Sequence, residues 1–176
     1  MAREESGEEN GSGDHGNKVM VAIDESDDSY FALMWVLQTL KESLTTTTLV
    51  IFMPQPAIDN NYTFAATLGA ARIYSPVSAR PDFVNSYKEN QRKLVLALLE
   101  RAKHICQSHG VNAETFSEEG DPSIAICSAV ERLNIDLLVL GDEHHLSKLK
   151  RVLIGSVSNY CVQHAKCSVL VVKKSK

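Results

Sequence analysis

The sequence predicts an α/β fold in which a parallel sheet carries helices on both faces. Three observations predict it. Short, continuous apolar runs end in polar residues, as buried parallel strands do. Amphipathic segments of helical period lie between them. The two alternate along the chain as β-α-β-α-β-α-β-α-β, an order that folds into a parallel sheet with crossover helices. The chain has 176 residues, of which 44% are hydrophobic and 23% charged, enough for one domain with a sizeable core.

The domain is expected to span residues 18–176. Residues 1–17 are rich in Gly, Ser and Glu, lack periodicity and read as a disordered acidic tail. The first strand is Val19-Met20-Val21-Ala22-Ile23, closed by Asp24-Glu25-Ser26-Asp27-Asp28. Those polar residues suit a helix start, with Asp27 and Asp28 as candidate caps. The helix that follows places Phe31, Ala32, Trp35, Val36, Thr39 and Leu40 at spacings of three and four. A β-branched and aromatic run, Thr47 to Met53, forms the second strand, ended by Pro54 and Pro56. The connection from Ala57 to Pro81 is long for a compact domain and is assigned a helical turn or two around Thr63 to Arg72. Lying after the second strand, it is either a lid over the cleft or a surface loop. A long helix then runs from about Phe83 to His109, with Tyr87, Gln91, Leu94, Val95, Leu98, Leu99, Ala102 and Ile105 on one face and Gly110 as its C′ residue.

Val111 to Phe116 alternates, as a strand near a sheet edge does. Gly120-Asp121-Pro122 opens the next helix, with Pro in the first turn. Asp136 to Gly141 is the fourth strand, Val157 to Ala165 the last helix, and Ser168 to Val172 the last strand. In such sheets ligands bind at the carboxyl ends of strands, near the switch point. The loops after Ile23, Met53, Phe116 and Leu140 are therefore the candidate site.

Charge and cysteines narrow the class. The net charge of −4 is carried by the tail alone, and residues 18–176 sum to zero. A nucleic-acid binder, which needs surplus Lys and Arg, is disfavoured. Within the neutral part, Asp142 to Lys176 carries +5 and residues 18–141 carry −5. No secretory signal or membrane span is visible, so neither a nucleic acid nor a membrane is expected as partner. The four cysteines, at 106, 127, 161 and 167, lack C-x-x-C spacing and read as buried free thiols in a reducing compartment. The expected setting is cytoplasmic, with the nucleus also open to it.

The loop after the fourth strand carries the most chemistry. Gly141 would let backbone approach a ligand. Gly155 and Ser156 open a helix whose free N–H groups attract anions, with Lys148, Lys150 and Arg151 nearby, although capping alone also explains a Gly-Ser there. Asp24, at the end of the first strand, suits either hydrogen bonds from adenosine or a place at a helix start. Asp142, Glu143, His144 and His145 do not make a metal site, because adjacent loop residues rarely converge on one ion. Asp24, Asp27 and Asp28 do not make a phosphoreceiver, because Phe116-Ser117 occupies the acceptor position. No G-x-S-x-G elbow occurs, and His164, near Tyr160 and Cys161, reads as packed rather than catalytic.

Four features taken together resemble the universal stress protein family, in its small plant-type single-domain form. They are Val21-Ala22-Ile23-Asp24, Gly120-Asp121-Pro122, Asp136 to Gly141, and Leu149 to Tyr160 with Ala165 to Lys173 behind it. The resemblance implies a Rossmann-like five-stranded sheet in the order 3-2-1-4-5 and a homodimer through the last strand. It also implies a site for ATP, with Mg²⁺, or AMP. That site would be built from Ala22, Ile23 and Asp24, from Met53, from Gly141, Glu143 and His144, and from Gly155, Ser156, Val157 and Ser158. The family's ATP-binding loop has G-x2-G-x9-G-S/T, whereas here the second glycine is His144 and the span to Gly155 is one residue longer. Asp142 and Glu143 are expected to set negative charge beside a triphosphate. Two readings follow: a dimeric stress-response regulator that binds nucleotide, or a dimeric interaction protein whose glycine loop has degenerated. A third, a slow ATP hydrolase, would have Glu143 or His144 as its acid or base.

Overall fold

The computed structural model describes residues 17–55, 64–68, 71–75, 81–142 and 156–174. The acidic tail and the positions of Glu143, His144 and Gly155 lie outside them. In chain order the elements are β1 (Lys18–Ala22), α1 (Asp27–Thr39), a 3-10 turn (Ser43–Thr45), β2 (Thr48–Gln55), β3 (Phe64–Leu68), β4 (Ala71–Ser75), α2 (Pro81–Ser108), β5 (Ala113–Glu119), α3 (Pro122–Leu133), β6 (Leu137–Gly141), α4 (Ser156–His164) and β7 (Ser168–Val172).

Five strands form one parallel sheet in the spatial order β5-β2-β1-β6-β7. Counted along the chain, that order is 3-2-1-4-5. The chain moves outward from β1 through β2 to β5, then returns to β6 on the other side of β1. The switch point therefore lies between the carboxyl ends of β1 and β6. Helices sort by face. Val19, Val21 and Ile23 pack with Leu49, Ile51 and Met53 beneath α1 and α2. Met20 and Ala22 pack with Val50 and Phe52 beneath α3 and α4. Successive strand residues point to opposite faces, so strands covered on both sides must be apolar throughout, and Met20 and Val21 are fully buried.

Several boundaries differ from expectation, each for a physical reason. β2 runs through Pro54 to Gln55, because its pairing with β1 stops at Ala22 opposite Phe52 while pairing with β5 continues to Gln55 opposite Glu119. With one side of the strand open there, proline is tolerated. The helical turns assigned to Thr63–Arg72 are instead an antiparallel pair, Phe64 opposite Ser75 through Leu68 opposite Ala71. Its sequence signal is two β-prone runs around Gly69-Ala70, a two-residue spacing that suits a hairpin.

The buried stripe of α1 is Ala32, Leu33, Val36 and Leu37, with Phe31 and Trp35 only partly covered. That of α2 is Val95, Leu99, Ala102 and Cys106, and Leu94 faces outward. Gly110, at φ +77°, ends α2 as expected: its N–H donates to Gln107 O and that of Val111 to Cys106 O. Asn134, at φ 52°, does the same for α3.

A close approach of backbone to backbone lies at the switch point. A Cβ on Gly141 would fall 2.5 Å from the Asp28 carbonyl oxygen and 2.8 Å from the Ser29 nitrogen. The first turn of α1 rests directly on the end of β6. Overpacking of this kind costs about 1–3 kcal/mol. Gly141→Ala should therefore lower the urea unfolding midpoint by an amount equivalent to about 2 kcal/mol at unchanged m-value. A midpoint shift worth less than about 0.5 kcal/mol would contradict this contact.

Candidate functional site

The loop after β1 is built from one carboxylate and two hydroxyls. Asp24 Oδ1 accepts the Ser26 N–H at 2.9 Å and the Ser26 hydroxyl at 2.6 Å. Ser26 Oγ in turn accepts the Ser29 N–H at 3.1 Å and so caps α1. The Ser29 hydroxyl, buried, accepts the Asp24 N–H and donates to the Asp24 and Ser26 carbonyls, all at 3.1 Å. Asp24 thus forms an Asx-turn that presents the cap. Ser26 holds the capping place expected of Asp27 and Asp28, which instead occupy the first turn, where the helix dipole favours acids.

The end of β6 is tied to α4 and β7. Ser158 is buried and donates its hydroxyl to the Gly141 carbonyl at 3.2 Å. The Asp142 N–H donates to Val172 O at 3.0 Å. The Asp142 carboxylate is buried, with Lys173 Nζ 3.4 Å from its Oδ2. Asp142 does not line the cleft described below, and its charge faces the lysine after β7.

Between these two loops lies a cleft of about 550 Å³, within the usual range for a small-molecule site. Of the candidate site residues, Ala22, Ile23, Asp24, Met53, Gly141, Val157 and Ser158 line it. Ser156 is described but is exposed and does not line it. Gly141 lines the cleft and also lies close against the first turn of α1. The sequence reading missed the contributions of Pro54, of Gln91 and Val95 from α2, and of Pro122 and Ile126 from α3. Helical period marked the buried face of α2, but only the tertiary arrangement shows which turn of it reaches the cleft.

Three helices begin at this cleft, and their electrostatics differ. α1 starts with Asp27 and Asp28. α3 is capped by Asp121, whose Oδ1 accepts the N–H groups of Ser123 at 3.0 Å and Ile124 at 3.2 Å. α4 has no acid in its first turn. An anion is therefore favoured at the start of α4 and opposed at the other two. His164 stacks on Tyr160, ring centroids 4.0 Å apart, and its Nδ1 lies 2.9 Å from the Tyr160 carbonyl, at the far end of α4. No group of three or more His, Cys, Asp or Glu able to hold a metal occurs among the described residues. No helix there is long and apolar enough to cross a membrane.

The cysteines divide between the two core layers, Cys106 in one and Cys127, Cys161 and Cys167 in the other. Cys106 and Cys161 are buried, Cys127 and Cys167 half-buried, and all four are free. The Cys127 and Cys161 sulfurs are 4.0 Å apart. Burial disfavours the thiolate, raising Cys106 from 9.0 to about 11 and Cys161 to about 12. Protonated burial of these thiols contributes stability below about pH 9, lost as pH rises from the unfolded value through the folded ones. In native protein at pH 8, a thiol-disulfide reagent such as DTNB should leave Cys106 and Cys161 unmodified until the protein unfolds. Prompt modification of either in folded protein would contradict their burial.

The fold and cleft define a class: small parallel α/β domains with a ligand cleft at the switch point beside the first strand. The sequence model of the universal stress protein family matches residues 16–173, and the chain belongs to that family. It is 29% identical over 172 residues to a universal stress protein A-like protein of Arabidopsis thaliana, covering 93% of each chain. It is 31% identical to universal stress protein YxiE of Bacillus subtilis, covering 89% of this chain and 99% of that one. Among solved structures, it is similar to an Arabidopsis thaliana universal stress protein family protein crystallised with AMP bound. That likeness has a TM-score of 0.63 and 25% identity, and covers 90% of this chain and 92% of the other. A Lactobacillus plantarum universal stress protein shares the fold at a TM-score of 0.64 and 20% identity, covering 89% of this chain and 97% of that one.

Proposed function

We propose that the chain is a dimeric stress-response regulator whose cleft binds an adenosine nucleotide, AMP or Mg-ATP. The observation that carries this reading is that one cleft is lined both by the acidic loop after β1, Asp24 and Glu25, and by the acid-free start of α4, Val157 and Ser158. Asp24 holds the adenosine part. The first turn of α4 holds phosphate, with Gly155 and Ser156 contributing from its start. Glu143 and His144 complete the loop, and any ATP hydrolysis is slow and incidental. The AMP-bound Arabidopsis thaliana relative supports the reading. His144 in place of a loop glycine favours the second reading, an interaction protein without nucleotide.

Dimerisation through β7 is part of the proposal. β5, at one edge of the sheet, carries Glu114, Glu118 and Glu119, and charge protects an edge from further pairing. β7, at the other edge, reads Ser-Val-Leu-Val-Val with no charge and leaves Val169, Leu170 and Val171 half-exposed.

Titration calorimetry should give a micromolar Kd for AMP, about −8 kcal/mol, and native mass spectra should show a mass twice the 19.4 kDa of one chain. Val171→Lys should yield monomer. Absence of heat with both AMP and Mg-ATP would leave the interaction-protein reading, and a monomeric wild type would remove the dimer.

A further inference from the structure

We propose that Cys127 and Cys161 form an oxidation site, a dithiol that a small hydroperoxide converts to an intramolecular disulfide joining α3 to α4. The inference stands apart from the nucleotide reading. Three of the four cysteines gather in one core layer, Cys161 within it and Cys127 and Cys167 packed against it. Cys127 belongs to α3 and Cys161 to α4, 34 residues further along the chain. The Cys127 thiol points its S–H at Cys161 Sγ, with the sulfurs 4.0 Å apart. A disulfide holds its sulfurs about 2 Å apart, so an approach of about 2 Å forms the bond. The other two thiols are placed differently. Cys167 donates to the Ser168 carbonyl at 3.4 Å, and Cys106 lies in the opposite layer.

The pair differs in access, which sets the order of events. Cys161 is 0% exposed, whereas Cys127 is half-buried. Cys127 Sγ attacks an oxygen of the peroxide: an S–O bond forms and the O–O bond breaks. The departing oxygen takes the thiol proton and leaves as water or alcohol. Cys161 Sγ then attacks the sulfur of the Cys127 sulfenic acid: the S–S bond forms and the S–O bond breaks. The departing hydroxide takes the Cys161 proton and leaves as water. The two thiols have then given two electrons to one hydroperoxide. Burial pushes both thiols above their ordinary value, so thiolate is scarce at neutral pH and the reaction is slow. The pair therefore stays reduced under brief exposure and closes under sustained oxidant. The helices it joins are two that line the cleft, through Pro122 and Ile126 of α3 and Val157 and Ser158 of α4.

The test exposes the reduced full chain, freed of reductant, to millimolar hydrogen peroxide, then unfolds it in an alkylating reagent. Trypsin with a glutamate-specific protease places the four cysteines on separate peptides, cutting after Glu114, Arg132 and Lys166 among other sites. Untreated protein should show all four alkylated. Treated protein should show Cys106 and Cys167 alkylated. The Cys127 and Cys161 peptides should then be recovered as one species, lighter by two hydrogens and separated again by dithiothreitol. Cys127→Ala should leave Cys161 alkylated after the same treatment, and Cys167→Ala should leave the bridge unchanged. The wild-type map decides the matter without either variant. Four alkylated thiols after treatment would overturn the inference. So would a bridge from Cys161 to Cys167, or Cys127 carried on to sulfinic acid with Cys161 still free.

Discussion

The structure depends on one close approach, the first turn of α1 resting on Gly141 at the end of β6. The gap between the Asp28 carbonyl and the position a Cβ would take is 2.5 Å, which no side chain fills without displacing backbone. This contact sets where the Asp24–Ser29 loop sits over the sheet. It also sets the width of the switch point, because Ser158 fastens α4 to the carbonyl of the same glycine. One residue without a Cβ therefore positions the starts of two helices, and the cleft is the space left between them. Interiors packed to crystal-like density transmit such a constraint instead of absorbing it.

Charge is arranged around that space with the same economy. Asp24 and Ser26 consume polar groups to form a turn and a cap. Asp121 does likewise for α3, which leaves α4 as the helix start without an acid. Asp142, next to the cleft in sequence, is directed to Lys173 on the far side of β6. The C-terminal stretch from Asp142 onward holds a charge of +5 against −5 in residues 18–141. The neutral total of the domain thus conceals a segregation of charge along the sequence, and the basic segment includes α4.

The strands of the sheet were legible because burial on both faces leaves few residue choices: Val19 to Ile23 and Leu137 to Leu140 are apolar at every position. The phase of the helices was less so. In α1 the large aromatic residues Phe31 and Trp35 drew the stripe away from its true centre at Leu33 and Leu37. The β3–β4 pair was hidden by its alanines, which score for helix, while cross-strand pairing decides the outcome. Of the site, the residues at strand ends were readable from topology alone. Gln91, Pro122 and Ile126 were not, because their places in the cleft follow from how α2 and α3 lie against the sheet. At Gly141 the demand for glycine that the structure displays comes from a helix of the same chain, a neighbour the sequence pattern does not reveal.

The central claim is that the cleft at the switch point is the nucleotide site, with adenosine at the end of β1 and phosphate at the start of α4. The most direct measurement is an amide-proton and nitrogen NMR titration of the isotopically labelled chain with AMP. The account predicts the largest shifts at Asp24, Ser26, Met53, Gly141, Val157 and Ser158, with β5 and the second half of α2 unmoved. Shifts confined to other surfaces, or none at millimolar AMP, would contradict it.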